Sequence, residues 1–396
     1  MEEQLKPNKL LSYLSLAGIF YFIFLCALHF ATRRPLWLDE VFLLNNFQEL
    51  KPLEIFGVLK YSQGFPRLYL FIIRSFSALF QFDVLALRFL PFVFMLSSFA
   101  VWLNIFKKEE GRGLGYLLFI LSWCGSALMS YYAAEFKQYS AELFAAAVFT
   151  YFIIKQREHL KNEKLNLPLV LSYCLLPALI LFSYTAYFFI LLPAYNLLAM
   201  ERKNKASITY LMIYLISALV FVFISYNSDI RHTLANRGLA AYWESYCIST
   251  ASFAKFTGTF WEGLKRIYVR WFWAAKPVTY IMTLFMPAAL FFTFSSGIKR
   301  FKDDGRRVVS LSAILVFLLA GLFIAGVLKI FPFTAARITL YLAPFIFYTI
   351  IKGIAMFKKR LFILYVILNL VFISTVITTS IWALSGYIKK FAIYHI

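Results

Sequence analysis

Residues 10–31 read LLSYLSLAGIFYFIFLCALHFA, and residues 32–41 continue TRRPLWLDEV. The first stretch is about 22 residues long, enough to cross a hydrocarbon core that needs about 20. It is too long for the apolar part of a cleavable leader and ends in Arg33–Arg34 without a small-residue cleavage site, so it reads as a first membrane span. The second stretch sets an acidic pair, Asp39–Glu40, just beyond that span beside Trp37 and Leu38. A span followed at once by paired carboxylates makes the question one of where the charges of a membrane protein gather.

The rest of the chain agrees. Of 396 residues, 62% are hydrophobic, 20% aromatic and 15% charged, against about 25% charged in soluble domains. A water-soluble fold would leave too much apolar surface uncovered, and disorder requires low hydrophobicity. Further apolar runs lie at 84–106, 114–130, 140–154, 167–182, 184–200, 207–225, 278–297, 308–328, 338–352 and 361–384. The segment Pro66–Phe82 is apolar but carries Arg67 and Arg74. If it does not span, the connections on the N-terminal side are short and basic, among them KKEEGR, KQREHLKNEK, ERKNK and KRFKDDGRR. The positive-inside rule therefore places this segment as a helix in the outer interface, its arginines snorkelling. The expectation is an all-α polytopic protein of about eleven spans in one domain over 1–396. Its N-terminus is cytosolic, its C-terminus outside, and two long outer loops run over 32–83 and 226–276.

Cys26, Cys124 and Cys174 lie in apolar runs and Cys247 in a polar one, with no CxxC pattern to hold zinc or a disulfide framework. Three polar features interrupt the apolar background. Asp39–Glu40 places a carboxylate where it can deprotonate a hydroxyl at the bilayer surface; alternatively Asp39 only caps a helix that begins at Glu40. In Tyr131–Glu142, Glu135 and Glu142 are seven apart, so a continuous helix puts both on one face with Gln138 and Tyr139 between them. Glu142 alone among the acids falls inside a span, which marks a functional candidate, unless these acids merely pair with Lys137 or a nearby arginine. Arg337, at the entrance of the run at 338–352, is an interface anchor or a ligand for an anion. The second long loop adds Arg231, His232, Arg237, Lys255, Lys265, Arg266, Arg270 and Lys276, suited as a group to lipid headgroups. Nucleic acid is not an expected partner for an outer face.

Taken in order, these elements resemble a known family. The acidic DE after the first span is followed by Gln63-Gly-Phe-Pro66-Arg-Leu-Tyr69, then Ala86-Leu-Arg88-Phe-Leu-Pro91, then Tyr132-Ala-Ala-Glu135-Phe-Lys137-Gln-Tyr139-Ser, and finally Pro332, Arg337 and Pro344. The chain is similar to the GT-C membrane glycosyltransferases, in the bacterial family 39-like branch related to protein mannosyltransferases and aminoarabinose transferases. The likeness covers roughly residues 1–150 and a patch at 330–345.

The resemblance implies a GT-C-like helical bundle with interfacial helices in its first outer loop. It implies a polyprenyl-phosphate sugar donor, a lipid, glycan or protein acceptor, and catalysis at the outer face of the bacterial cytoplasmic membrane. It assigns the base to Asp39, the family's second acid to Glu135 and the lipid phosphate to Arg337; Glu40, beside Asp39, is a further catalytic candidate. Substrate binding falls to Arg337, Lys137, Tyr139, Glu142, Arg88 and Arg67. A divalent cation is compatible with Glu40, Glu135 or Glu142 but is not required. The chain departs from the family in having one proline at Pro66, Lys137 in place of arginine and Glu at 142. It also shows no counterpart of the large soluble C-terminal domain of some members, so acceptor recognition is expected from the loops. A transporter or flippase of lipid-linked sugars is the alternative, and a ligase or polymerase using a diphosphate donor is a third.

Overall fold

The computed structural model describes residues 9–159, 165–198, 205–269, 310–333 and 336–356, with single positions from 358 to 381. The expected spans at 278–297 and 361–384 lie wholly or largely outside them, as do Arg270, Lys276 and most of the basic connections near 160, 201, 300 and 359. Among the described residues the protein is all-helical, 81% helix, with no strand.

Among the described residues four helical stretches are long and apolar enough to cross a membrane: Lys9–Ala31, Val84–Glu110, Lys205–Ala235 and Arg337–Ala355. Shorter apolar helices cover Leu114–Gly125, Leu167–Leu181, Ala186–Leu198 and Leu311–Val327. The structure thus carries the coarser expectation, an α-helical membrane protein. Several expected runs are subdivided. The run at 114–130 breaks at Ser126, and 184–200 splits into Ala186–Phe189 and Leu191–Leu198.

We name α1 (Lys9–Ala31), α2 (Leu38–Glu49), α3 (Arg67–Ala78), α4 (Val84–Glu110), α5 (Leu114–Gly125), α6 (Ala127–Tyr132), α7 (Tyr139–His159), α8 (Leu167–Leu175), α9 (Ala186–Phe189), α10 (Leu191–Leu198) and α11 (Lys205–Ser225). α1 crosses close to α5. A Cβ on Gly18 would stand 2.8 Å from the Ile120 side chain, so this approach needs glycine. α4 is the spine. Asp83 caps its start by accepting from the Leu85 N–H at 2.9 Å, and Gly111 ends it at φ +71°. Packing of α4 on α1 and α5 builds an aromatic core of Phe22, Phe99, Trp102, Phe106, Phe119 and Trp123.

The first long loop has a second, smaller core of its own. Leu43, Phe47, Ile55, Phe65, Tyr69, Leu70 and Ile73 pack with Leu87 of α4 and with Phe136 and Ala141. At 12 residues, α3 is about 18 Å long, against about 30 Å for a hydrocarbon core. Its arginines do not snorkel, however. Arg67 is 2% exposed, donates to the Phe65 carbonyl at 3.0 Å and lies 3.9 Å from Asp229. Arg74 donates to the Phe47 and Leu50 carbonyls at 3.1 and 2.9 Å, where a cation meets the negative end of α2. The partners that draw these side chains inward come from distant parts of the chain.

The second long loop is also helical: α12 (Arg231–Ala235), α13 (Arg237–Glu244) and α14 (Phe253–Val269), the last two with one apolar and one polar face. The Phe333 N–H bonds the Tyr246 carbonyl at 2.9 Å, and Ile248 N–H bonds Gly326 at 3.2 Å. These bonds tie the end of α13 to the corner that leads to Arg337.

Candidate functional site

The polar residues singled out in the sequence converge where α2 begins. Glu40 is the third residue after the cap of that helix, reaching back to accept from the Trp37 N–H at 2.9 Å. The same oxygen accepts from Arg88 Nη2 at 3.1 Å, and the other accepts from the Phe136 N–H at 3.1 Å. Arg88 donates in turn to the Arg34 carbonyl at 2.8 Å. Neither Glu40 nor Arg88 has any exposed side chain. One carboxylate therefore fastens the entrance of α2, the body of α4 and the segment before α7 to one another.

That segment, 133–138, is a non-helical break between α6 and α7. Phe136 is its plug, fully buried in the loop's own core, and Tyr69 donates to the Lys137 carbonyl at 2.6 Å. Anchored on both sides, the break presents Glu135 and Lys137 as a helix could not. The expectation that Glu135 and Glu142 share one helical face is corrected by this break, since only Glu142 lies on α7. Glu135 sits 3.8 Å from Arg34, a residue the sequence marked only as the end of a span. Arg34 also donates to the Ala134 carbonyl at 2.8 Å and lies over the Tyr131 ring at 3.7 Å. Burial, then repulsion from Glu40, pushes the Glu135 carboxyl up to about 7, and the attraction of Arg34 does not offset this.

Asp39 precedes Glu40 on the helix and faces another way. It is not an N-cap; Trp37 holds that position. Its Oδ2 takes an ion pair from Lys137 and a second from Arg337 Nη1 at 3.3 Å. Oδ1 accepts no hydrogen bond among the described residues. Asp39 and Arg337 are about a quarter exposed, whereas Lys137 is nearly enclosed. Burial holds the Lys137 amine below its ordinary value, against the pull of Asp39. Arg337 stands 298 residues from Asp39 in the chain. It is held from the far side by the Tyr242 hydroxyl at 3.5 Å from Nη2 and by the Trp243 ring, 5.5 Å from Cζ.

The remaining candidates occupy other places. Tyr139 is buried edge-on to Tyr132, with Lys137 Nζ 6.0 Å above its ring. Glu142 is 1% exposed, pairs with no cation among the described residues, and leaves Oε2 without a hydrogen bond. Arg67 belongs to a separate buried knot in which Asp229 Oδ1 accepts from Tyr184 at 2.8 Å and Thr233 at 3.0 Å. Among the described residues no three His, Cys, Asp or Glu side chains gather as a metal site would require. Tyr242 and Trp243 were not foreseen. Their only signal was the aromatic run Tyr242-Trp-Glu-Ser-Tyr246 in an amphipathic loop.

The arrangement is a closed inner tier of Arg34, Glu40, Arg88 and Glu135 beneath a partly open outer tier of Asp39, Lys137 and Arg337. The outer tier offers one carboxylate and two cations at one edge, which suits proton abstraction beside a bound anion. The chain matches no family model, no curated protein and no solved structure.

Proposed function

We propose that the protein is an inverting glycosyltransferase that moves a sugar from a polyprenyl-phosphate donor to a hydroxyl acceptor. The observation that carries this reading is Asp39 between Lys137 and Arg337, with one oxygen held and the other free of hydrogen bonds among the described residues. In the reaction Asp39 takes the acceptor O–H proton as the acceptor oxygen bonds the anomeric carbon. The bond from that carbon to the phosphate oxygen breaks, and its electron pair leaves with the polyprenyl phosphate. Attack from the face opposite the phosphate inverts the centre. The leaving phosphate is already an anion, so no strong acid is needed behind it, and two cations stabilise its charge. A glycosidase would instead need two working carboxylates.

Glu40 and Arg88 serve this reaction from below by positioning Asp39 and Lys137. Glu135 and Tyr139 line the same break, and Arg67 fixes the first long loop. On this reading the chain has about eleven spans in the bacterial cytoplasmic membrane, with its N-terminus cytosolic and the Asp39 edge at the outer leaflet. The charges gather at one edge built by loops, and this favours transfer over transport, where coupling charges are usual near the midplane.

The test uses the full chain in proteoliposomes with undecaprenyl-phosphate sugars carrying labelled glucose, arabinose or aminoarabinose, and an envelope lipid and glycan extract as acceptor. The label is expected to pass into a new glycosidic product with the wild type and not with Asp39→Asn. Full turnover by Asp39→Asn removes Asp39 as the base. Movement of donor across the bilayer without a new glycosidic bond establishes the flippase instead.

A further inference from the structure

The second long loop also reaches the Asp39 edge through its contact with Arg337. The eight residues of α13 bridge two parts of the site. Near its start, Gly238 lies against the Ser62 side chain and Gly64 against Leu239, so the first long loop meets it with almost no room for added side chains. Near its end, Lys329 pairs with Glu244 at 2.5 Å. Between these two fastenings Tyr242 and Trp243 make a corner, their ring centroids 5.0 Å apart and their planes at 79°, with Tyr246 behind them at 5.7 and 5.4 Å.

Tyr242 is 52% exposed, although it stands at a charged site rather than on a bare lipid-facing surface. An aromatic side chain at a bilayer interface needs no ion beside it. Here Tyr242 and Trp243 both touch the guanidinium that pairs with Asp39. A carboxylate and cations to bond hydroxyls, with flat aromatic faces alongside, form the combination that binds a sugar ring. The ring's C–H face packs on the aromatic surface, and its edge reaches the charges. If Arg337 holds the lipid phosphate, the next group along the donor is its sugar, one bond away.

We propose that Tyr242 and Trp243 form a stacking subsite for the sugar ring of the donor. This rests on the glycosyltransferase reading and adds the element that recognises the transferred group. Stacking, not the phenol hydroxyl, supplies the contact.

The experiment measures equilibrium binding of the detergent-solubilised full chain to undecaprenyl phosphate and to the undecaprenyl-phosphate sugars named above. The wild type is expected to hold one sugar-bearing lipid about tenfold tighter than the bare lipid phosphate, the scale of aromatic stacking on a flat ring. Tyr242→Leu and Trp243→Leu should each erase most of that difference, and Tyr242→Phe should keep it. Each variant's binding of the bare undecaprenyl phosphate is measured alongside, so that any effect transmitted through Arg337 is separated from the sugar increment. A sugar increment that survives both leucine variants overturns the subsite, as does its loss in Tyr242→Phe. A wild type that binds the bare lipid phosphate but gains nothing from any sugar also overturns it, leaving the lipid-phosphate reading intact. No binding even of the bare lipid defeats the glycosyltransferase reading itself. If the leucine variants instead raise only the KM for acceptor in the transfer assay, the rings serve the acceptor and the proposal is wrong.

Discussion

Asp39→Asn should abolish transfer and at the same time tighten binding of the lipid phosphate. In the unliganded protein the Asp39 carboxylate occupies both cations that a phosphate would use, with Arg337 3.3 Å away and Lys137 in direct contact. At an effective dielectric of about 20, a charge pair at that separation gains about 5 kcal/mol of Coulomb energy. Most of this is offset by the hydration that a partly exposed cation recovers when the pair is broken. The surviving difference for groups a quarter exposed is about 1–2 kcal/mol. Removing the resident anion while keeping the side-chain shape should therefore strengthen undecaprenyl-phosphate binding about tenfold. The gain should shrink as salt rises, because the open edge is screened. Quenching of intrinsic tryptophan fluorescence or a filter assay with labelled lipid measures it, with Arg337→Gln and Lys137→Gln as controls that weaken binding. Unchanged or weaker binding by Asp39→Asn would refute the view that acid and substrate compete for one cation pair. The same competition implies an order of events in the proposed reaction. Phosphate arriving at Arg337 and Lys137 releases Asp39 Oδ2, so the base becomes fully available only once donor is bound.

Other residues give separate tests. Glu40→Ala strands Arg88 and two backbone N–H groups in a site with no exposed side chain, and should cost about 3–5 kcal/mol. Adding Arg88→Met to Glu40→Ala should recover part of that loss, read by unfolding in mixed micelles; two losses that simply add would show that the residues do not act as a pair. Arg67→Leu should destabilise by a similar amount, because Asp229 is buried beneath it, and Asp229→Asn in the same background should restore part; no loss in melting temperature would contradict the pairing. Glu135 keeps its proton to about pH 7 in the folded protein and to about 4.5 unfolded. The folded state thus holds the extra proton between those values, so this group's stabilisation is full below pH 4.5 and is lost as pH rises to 7, by up to about 1.4 kcal/mol per unit. Glu135→Gln should flatten stability across that window, and an unaltered pH profile would show that Glu135 ionises normally.

The helices were legible because apolar length is a local property. So was the polar character of α3, since it holds two arginines in twelve residues. The fate of those arginines was not legible, because Arg67 meets Asp229 and Arg74 meets the carbonyls of Phe47 and Leu50 only after the chain has folded. Asp39 and Glu40 illustrate the same limit at the shortest range. Neighbours on a helix point about 100° apart, so identical chemistry is sent to two environments, one half-open and one closed. Nothing in the dipeptide says which acid turns inward. Glu135 and Glu142 appeared to share a face only because seven-residue spacing presumes an unbroken helix, and the chain breaks between them. The meeting of Asp39 with Arg337 was suggested by the ordered motifs; the rings of Tyr242 and Trp243, in a fifty-residue loop without a motif, were not.

The two tiers of charge explain why so many ions are gathered in an otherwise apolar protein. Burying Glu40 and Arg88 completely is expensive, and a pair of apolar residues could fill the same space without that penalty. What apolar residues cannot do is bond at once to the N–H groups of Trp37 and Phe136 and the carbonyl of Arg34. Those bonds fix the backbone on either side of Asp39 and one residue before Lys137. The buried pair thus sets the spacing of the exposed one, as a preorganised site requires. The outer tier, one carboxylate against two cations, retains a net positive charge at its open edge. Such an edge is incomplete without an anion, and the phosphate of a lipid-linked sugar would both complete it and release the acid that acts on its neighbour.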